Sequence, residues 1–315
     1  MNNSCLPPPT KMKFSAIFLF ILFIQHTCFS QVAKPVVNPS FSKLKILEDS
    51  LVKLSQKIVD GETLDERNNA NELFTKTLTT TINTPNSFSY PFDSLKTVSV
   101  LKSPDKNFKI FSWSVADTNG TYHFYGKIQM NREKEAPVFG LTDYTNKITD
   151  PKDTVTNNEK WYGAVYYKII PVYAAKPYYI LLGLKGNNLK TTKKVIEVLS
   201  FRNEKPEFGR GIFEGKGKNT KRIIFEYTHD AVMLLRFEQE KSLIVFDHLS
   251  PPDAKFKNQP ETYGPDLSYD GFQLKNGKWY FTENLDMRNV PDNHDIEYHD
   301  PKKQEEFDKP VEKKQ

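Results

Sequence analysis

The chain has 315 residues, with 44 basic and 39 acidic side chains, and 13% of its residues are aromatic. This length fits one large domain or two small ones, and abundant Phe and Tyr favour strands around a sizeable core. The charge is too balanced to argue for a nucleic-acid partner, and we expect none.

Residues 1–30 have the features of a signal peptide. Lys11 and Lys13 precede an apolar run over residues 14–24, and the segment ends at a plausible cleavage point near Ser30–Gln31. The run is shorter than the roughly 20 residues that a membrane span needs. We therefore expect a periplasmic, secreted or cell-surface protein whose mature chain has no transmembrane segment. Two alternatives stay open: a true start at Met12, and lipidation at Cys28.

Both cysteines, Cys5 and Cys28, lie within this segment. The mature chain is then free of cysteine, which excludes disulfides, thiolate nucleophiles and cysteine–metal sites. Removing Lys11 and Lys13 leaves 42 basic and 39 acidic residues, a net charge of +3. No nucleotide-binding or metal-binding motif stands out, so no cofactor is expected.

A Pro-containing linker over residues 31–41 precedes a predicted helical hairpin over residues 42–84. Apolar residues spaced by three and four predict the first helix, and Gly61 suits its end. Thr63 and Glu66 form a capping box that starts the second helix. The apolar stripe predicts packing on the β domain, and a coiled-coil partner face is the alternative. The stripe comprises Leu44, Leu47, Leu51, Leu54, Ile58, Leu64, Ala70, Leu73, Phe74 and Leu78.

From residue 85 to residue 290 the pattern predicts one antiparallel β domain. Asn119–Gly120 is a hairpin signal, and the polar residues 145–160 predict a loop. Residues 191–199 fit a helix or a strand, and we favour the helix. Strands are predicted over residues 98–101, 108–115, 121–130, 136–141, 161–173, 177–184 and 208–213. The fold is thus mainly β, sandwich-like or barrel-like rather than a propeller, and a charged, disordered tail over residues 291–315 follows.

The strongest sheet signal runs from Arg222 to Tyr280. If three strands follow each other through short turns, one face carries Glu226, Val232 and Asp247 in a row. Strand spacing would then place the two carboxylates about 10 Å apart, a distance that suits inverting hydrolysis. The alternative is a solvated or salt-bridged outer face. The core face would comprise Ile223, Phe225, Tyr227, Met233, Leu235, Phe237, Ile244 and Phe246.

The segment from Tyr263 to Gly271 is the preferred ligand site. Tyr263 and Tyr269 can frame a pocket, and Asp266 and Asp270 bracket a turn. The two carboxylates with loop carbonyls are candidate calcium ligands. An Asx-turn, in which each aspartate bonds its own backbone, is the alternative.

Two further patterns carry less weight. Asp247, His248 and Ser250 resemble parts of a catalytic triad, but adjacent strand residues point to opposite faces, so Asp247 cannot orient His248. Four aromatic residues suggest a sugar-stacking surface, with core packing as the alternative. These are Trp113, Tyr162, Tyr166 and Tyr178.

The chain resembles an uncharacterised family of exported proteins of Bacteroidota-type bacteria. The resemblance covers nearly the whole mature chain and rests on five segments, SFSYPFDSLK, SPDKNFKIFSW, YYILLGLKGNN, VMLLRFEQEKSLIVFDHLSP and YGPDLSYDGFQLKNGKWYF. It implies an envelope location and a shared fold, with no activity to carry over.

The leading functional hypothesis is a non-enzymatic binding or structural module of the envelope, with a glycan or an envelope protein as partner. The alternative is a carboxylate-dependent hydrolase acting on glycans, which would use Glu226 and Asp247 or Asp266 and Asp270.

Overall fold

The computed structural model describes residues 39–287 apart from residues 132–135 and 218–219. The predicted signal peptide with its two cysteines, residues 31–38 of the linker and the tail over residues 291–315 lie outside the described residues. Within the described part of the chain, neither helix has the length and hydropathy needed to cross a membrane.

The helical hairpin is confirmed as α1 (Pro39–Asp60) and α2 (Leu64–Ile82). The first helix starts three residues earlier than predicted and takes up the end of the linker. Thr63 caps α2, because its side chain accepts a hydrogen bond from the Glu66 backbone N–H at 3.2 Å. The Glu66 carboxylate reaches back to the backbone N–H of Glu62 at 2.9 Å.

The first sheet is an antiparallel meander of four strands. Asn119–Gly120 lies in the hairpin between its second and third strands, and Gly120 has the positive φ of 80° that this turn requires. The strands, in spatial order, are β1 (Ser99–Lys102), β2 (Phe108–Ala116), β3 (Tyr122–Met130) and β4 (Val138–Thr142).

The second sheet is built around a 12-residue strand over residues 191–202, whereas the sequence analysis predicts a helix over residues 191–199. That prediction is wrong because the β-branched Thr191, Thr192, Val195, Ile196 and Val198 fit a pleated surface buried on both faces. The strands are β5 (Thr156–Asn157), β6 (Val165–Val172), β7 (Tyr178–Gly186), β8 (Thr191–Arg202), β9 (Lys205–Phe208) and β11 (Ile223–Thr228). Their order is β5-β9-β8-β7-β6, and β11 pairs with the first half of β8.

The third sheet has the order β10-β15-β14-β13-β12, antiparallel except where β10 runs parallel to β15. Its strands are β10 (Phe213–Glu214), β12 (Leu235–Glu238), β13 (Leu243–Ser250), β14 (Gly264–Lys275) and β15 (Lys278–Thr282). The strand predicted over residues 208–213 is wrong for residues 209–212, because only Phe208 in β9 and Phe213 in β10 belong to strands. Most of the segment predicted as the ligand site, residues 263–271, belongs to β14.

Four layers stack through three cores, so the fold is mainly β and sandwich-like, and none of the described sheets closes into a barrel. The hairpin packs on one face of the first sheet through Phe111, Trp113 and Val115 of β2. The other face, with Phe108 and Ile110, packs on the second sheet. The far face of the second sheet packs on the third.

The prediction that four aromatic residues form a sugar-stacking surface is wrong, because all four are buried in these cores. Trp113 packs against α2, where its indole N–H donates to Asn71 at 2.7 Å. The two tyrosines Tyr162 and Tyr166 lie in the core between the first and second sheets, and Tyr178 lies in the core between the second and third.

The eight residues predicted to share a core face all belong to, or pack against, the core between the second and third sheets. They reach it from opposite sides, because β11 lies in the second sheet whereas β12 and β13 lie in the third. The hydrophobic alternation therefore identified the right core, while the predicted succession of three neighbouring strands is wrong.

Candidate functional site

Glu226 and Asp247 do not form a row. Glu226 lies on β11, where its carboxylate accepts from Thr191 Oγ1 at 2.9 Å and pairs with Lys193 Nζ at 3.3 Å. Asp247 lies on β13 in the other sheet and accepts the backbone N–H of Leu234 at 2.7 Å. The predicted register fails because β11 pairs with β8 and not with β12. Each carboxylate is engaged by groups of its own neighbourhood.

The ladder between β13 and β14 contains a large bulge. Asp247 pairs with Tyr269 and Leu249 pairs with Pro265, so β13 advances two residues while β14 advances four. Residues 266–268 therefore lie opposite His248 alone. Bulges of this kind re-aim side chains and occur often beside functional sites.

An Asx-turn shapes the tip of the bulge. Asp266 Oδ1 accepts the backbone N–H of Ser268 at 3.1 Å and its hydroxyl at 2.7 Å. Partial burial opposes ionisation of Asp266, but hydrogen bonds from Ser268 and Ser250 outweigh it and lower the pKa of this carboxyl. The turn holds Leu267 at a φ of 72° with 91% of its surface exposed. A leucine in this left-handed region is strained.

We expect the Leu267→Gly variant to be more stable than the wild type by up to about 1 kcal/mol, because glycine adopts a positive φ without the Cβ penalty. Urea unfolding of the two proteins measures the difference. The Asx-turn residue Asp266 stays in place in this variant. A clear loss of stability would show that the leucine side chain holds the bulge together.

A groove of about 540 Å³ opens beside the bulge. We call it the bulge groove. It is lined by Leu234, Arg236, Leu267, Ser268, Tyr269, Asn284, Leu285, Asp286 and Met287. Aliphatic side chains alternate here with hydrogen-bonding groups, and Tyr269 supplies one aromatic ring. Such a mixture suits an amphipathic ligand.

Asp270 belongs to the side of β14 that faces the core, because it alternates with the buried Phe272 along the strand. It is 3% exposed. Its Oδ2 lies 2.8 Å from His248 Nδ1, and its Oδ1 accepts the backbone N–H of Asn284 at 3.1 Å. The side chain of His248 is 45% exposed. The histidine is thus held by a buried carboxylate 22 residues further along the chain.

Of the four predicted ligand residues, Asp266, Tyr269 and Asp270 lie around the bulge and Tyr263 does not join them. Tyr263 follows a short 3-10 helix and packs against the core between the second and third sheets. Its carbonyl accepts Thr228 N–H at 2.9 Å, so it fixes the end of β11.

The calcium hypothesis gains no geometric support from these two aspartates, because each already accepts hydrogen bonds from neighbouring groups. Within the described residues, no three His, Cys, Asp or Glu side chains are grouped so that they could hold a metal ion.

Sequence reasoning missed the pairing of His248 with Asp270 and the exposed Leu267. A signal for the pairing was present, because Ile244 and Phe246 on β13 alternate in step with Asp270 and Phe272 on β14. Aligning the two apolar faces would have placed His248 and Asp270 on the same side. The length of the bulge has no comparable signal in the pattern.

Comparisons with models of protein families, with curated proteins and with solved structures find no match for this chain.

Proposed function

We propose that this protein is an exported binding module of the bacterial envelope, and that its ligand site is the bulge groove. The N-terminal segment with Lys11, Lys13 and the apolar run that follows supports export. The resemblance to exported proteins of Bacteroidota-type bacteria supports the same location. The proposed partner is an envelope glycan or an envelope protein.

The observation that carries the proposal is that Leu267 is exposed and has a positive φ. Such a residue raises the free energy of the folded protein in two ways, because its backbone is strained and its large apolar side chain is exposed to water. Strained residues of this kind cluster at ligand-binding sites, where the surrounding structure holds them in place. A ligand that covers Leu267 would recover the apolar burial that the fold forgoes.

The lining of the groove indicates what such a ligand presents. Leu234, Leu267, Leu285 and Met287 offer apolar contact, whereas Arg236 and Asn284 offer hydrogen-bond donors. A ligand with one apolar side and one polar side matches this surface. Both an extended peptide and a sugar ring stacked on Tyr269 have that character.

The alternative of a hydrolase built on Glu226 and Asp247 has no support in the geometry. The two carboxylates lie on strands of different sheets, and both accept hydrogen bonds that fix them in place. A pair acting on one glycosidic bond needs two carboxyl groups facing each other across the substrate.

The test is a ligand screen of the mature chain followed by variants of the groove. The probes are a displayed peptide library and an array of bacterial envelope glycans. We expect at least one of the two to yield a ligand whose Kd rises about tenfold or more in Leu267→Ser and in Tyr269→Ala, each by calorimetry.

Ile46→Ser is the matched control, because Ile46 is an aliphatic residue of α1 that is 67% exposed and far from the groove lining in the chain. It should bind as the wild type does. Ligands that bind the two groove variants as tightly as the wild type, or two screens without a ligand, would contradict the proposal.

A further inference from the structure

His248 and Asp270 form a pair whose geometry goes beyond ligand binding. The carboxylate of Asp270 is buried, and both of its oxygens accept hydrogen bonds, one from the Asn284 backbone and one from the imidazole. It can therefore rotate little. The imidazole is anchored at one end and 45% exposed at its side chain, so its other end can meet a molecule from solution.

The hydrogen bond fixes the form of the imidazole. An ionised carboxylate only accepts hydrogen bonds, so Nδ1 of His248 must donate its hydrogen to Asp270 Oδ2. In the neutral ring the lone pair then lies on Nε2, at the opposite side of the ring from Asp270. A carboxylate that orients a histidine in this way also stabilises the cation that forms when Nε2 takes up a proton.

The neighbouring hydroxyl groups are engaged elsewhere. Ser250 lies two residues beyond His248 on β13, and its hydroxyl acts on Asp266, whose pKa it helps to lower. The hydroxyl of Ser268 donates to the same carboxylate at 2.7 Å. Among the described residues, neither serine hydroxyl is hydrogen-bonded to His248, whose Nδ1 contacts Asp270. Water is therefore the group that we expect the imidazole to deprotonate.

We propose that His248 is a general base and Asp270 its positioning residue, and that the pair hydrolyses small carboxylic esters at the rim of the third sheet. His248 Nε2 takes a proton from a water molecule, and the resulting hydroxide adds to the ester carbonyl carbon. The tetrahedral intermediate expels the alkoxide, which takes the proton from Nε2. The products are a carboxylic acid and an alcohol, and the imidazole returns to its starting form.

Esters fit this pair better than glycosides do. A glycosidic oxygen needs a protonated carboxylic acid beside it, and in many glycosidases a second carboxylate opposite. Ester hydrolysis by water requires one base with a pKa near the working pH, which imidazole supplies. The charged groups that face the pair are Asp266, which interacts with His248, and Lys216, which interacts with Asp270.

The test uses p-nitrophenyl acetate as the ester and follows release of p-nitrophenol across pH 5 to 9, the range that brackets the ordinary histidine pKa. General-base catalysis typically contributes about 10²–10⁴-fold. We therefore expect the His248→Gln variant to be at least about 10²-fold slower than the wild type. The wild-type rate should rise with pH across this range.

Asp270→Asn separates positioning from folding. The Asn284 backbone N–H still needs an acceptor, so the amide oxygen faces it and the amide NH₂ faces His248. The ring must then accept at Nδ1 and carry its hydrogen on Nε2, the wrong form for a base. We expect a large loss of rate together with a change of tautomer in the ¹⁵N spectrum of His248, while the thermal unfolding profile stays cooperative.

His229→Gln is the matched control, because His229 is an exposed histidine whose Nδ1 contacts a threonine hydroxyl and no carboxylate. It should keep the wild-type rate. The proposal is overturned if the wild type hydrolyses the ester no faster than His248→Gln, or if Asp270→Asn shifts the tautomer without slowing the reaction.

Discussion

We expect the Arg222→Leu variant to lose about 3–5 kcal/mol of unfolding free energy, the typical result of breaking a buried ion pair from one side. Arg222 Nε donates to Glu197 Oε2 at 2.6 Å, and both side chains are almost completely buried. Leucine would leave a carboxylate in the core between the first and second sheets. Urea unfolding with a fixed m-value measures the loss.

The loss has a second source in the loop before β5. Arg222 Nη1 donates to the carbonyls of Pro151 and Thr154, so the guanidinium also holds residues 151–154 against the second sheet. Burial raises the pKa of Glu197, and the nearby Arg222 opposes that rise. Without the arginine, the carboxyl should take up a proton well above its ordinary pKa, and the loss should shrink at low pH.

The double variant Glu197→Leu/Arg222→Leu tests this explanation. Removing both charges leaves no uncompensated ion, so much of the stability should return. Lys278→Leu is the surface control, because Lys278 pairs with Glu214 at 2.7 Å with both side chains about half exposed. It should leave stability nearly unchanged, because an exposed ion pair contributes little. Equal losses in the buried and exposed variants would refute the argument.

The fold class could be predicted from the sequence because its signals are local. A stripe spaced by three and four gave the hairpin, and alternation at period two gave most strands. The helix prediction over residues 191–199 is wrong because Lys193, Lys194 and Glu197 interrupt the apolar run that a strand buried on both faces would otherwise show. In the structure these lysines reach groups at the sheet edge, such as Glu226 and the Met233 carbonyl.

The candidate site was only partly predictable because it depends on pairing between distant strands. The sequence pointed to Asp266, Tyr269 and Asp270, which lie around the bulge. It could not show that β11 belongs to the second sheet and not to the third. A tight turn after Thr228 and a crossover to another sheet would begin with the same residues. The partner of His248 comes from the next strand, beyond an intervening loop, and local patterns do not report such contacts.

The burial of charged residues was also not predicted, because a lysine or arginine in a sequence is expected at the surface. Lys109 and Lys185 are both almost fully buried. Lys109 Nζ donates to the carbonyls of Ser87 and Tyr90, at 3.2 and 2.7 Å. The apolar residues on either side of each lysine predict a strand by themselves. The sequence pattern therefore does not show that the lysine is buried as well.

These two lysines should make the protein more stable as the pH rises from 7 to about 10. Burial lowers the pKa of Lys109 and of Lys185 from 10.5 to about 7. Below pH 7 both states carry the protons. Between the two values the unfolded chain holds protons that the native protein has released, so deprotonation favours the native state. The gain is at most about 1.4 kcal/mol per pH unit for each lysine.

Buried tyrosines limit the pH range over which stability rises. Burial raises the pKa of Tyr178 and Tyr179 from 10.0 to about 12. Above pH 10 the unfolded chain ionises tyrosines that stay protonated in the native protein, and this favours unfolding. The profile of unfolding free energy against pH should therefore have its maximum near pH 10, which urea titrations at each pH unit from 6 to 11 would locate.

Variants of Lys109 and Lys185 test whether these lysines cause the rise in stability between pH 7 and pH 10. Lys185→Met removes one titrating amine, so the slope between pH 7 and pH 10 should fall by about half, and Lys109→Met should do the same. In Lys185→Met the hydrogen bonds to Tyr162 O and Gly163 O are also lost. That loss lowers stability at every pH without tilting the profile. Lys57→Met, at an exposed position of α1, should leave the slope unchanged, and an unchanged slope in both buried variants would show that other groups titrate.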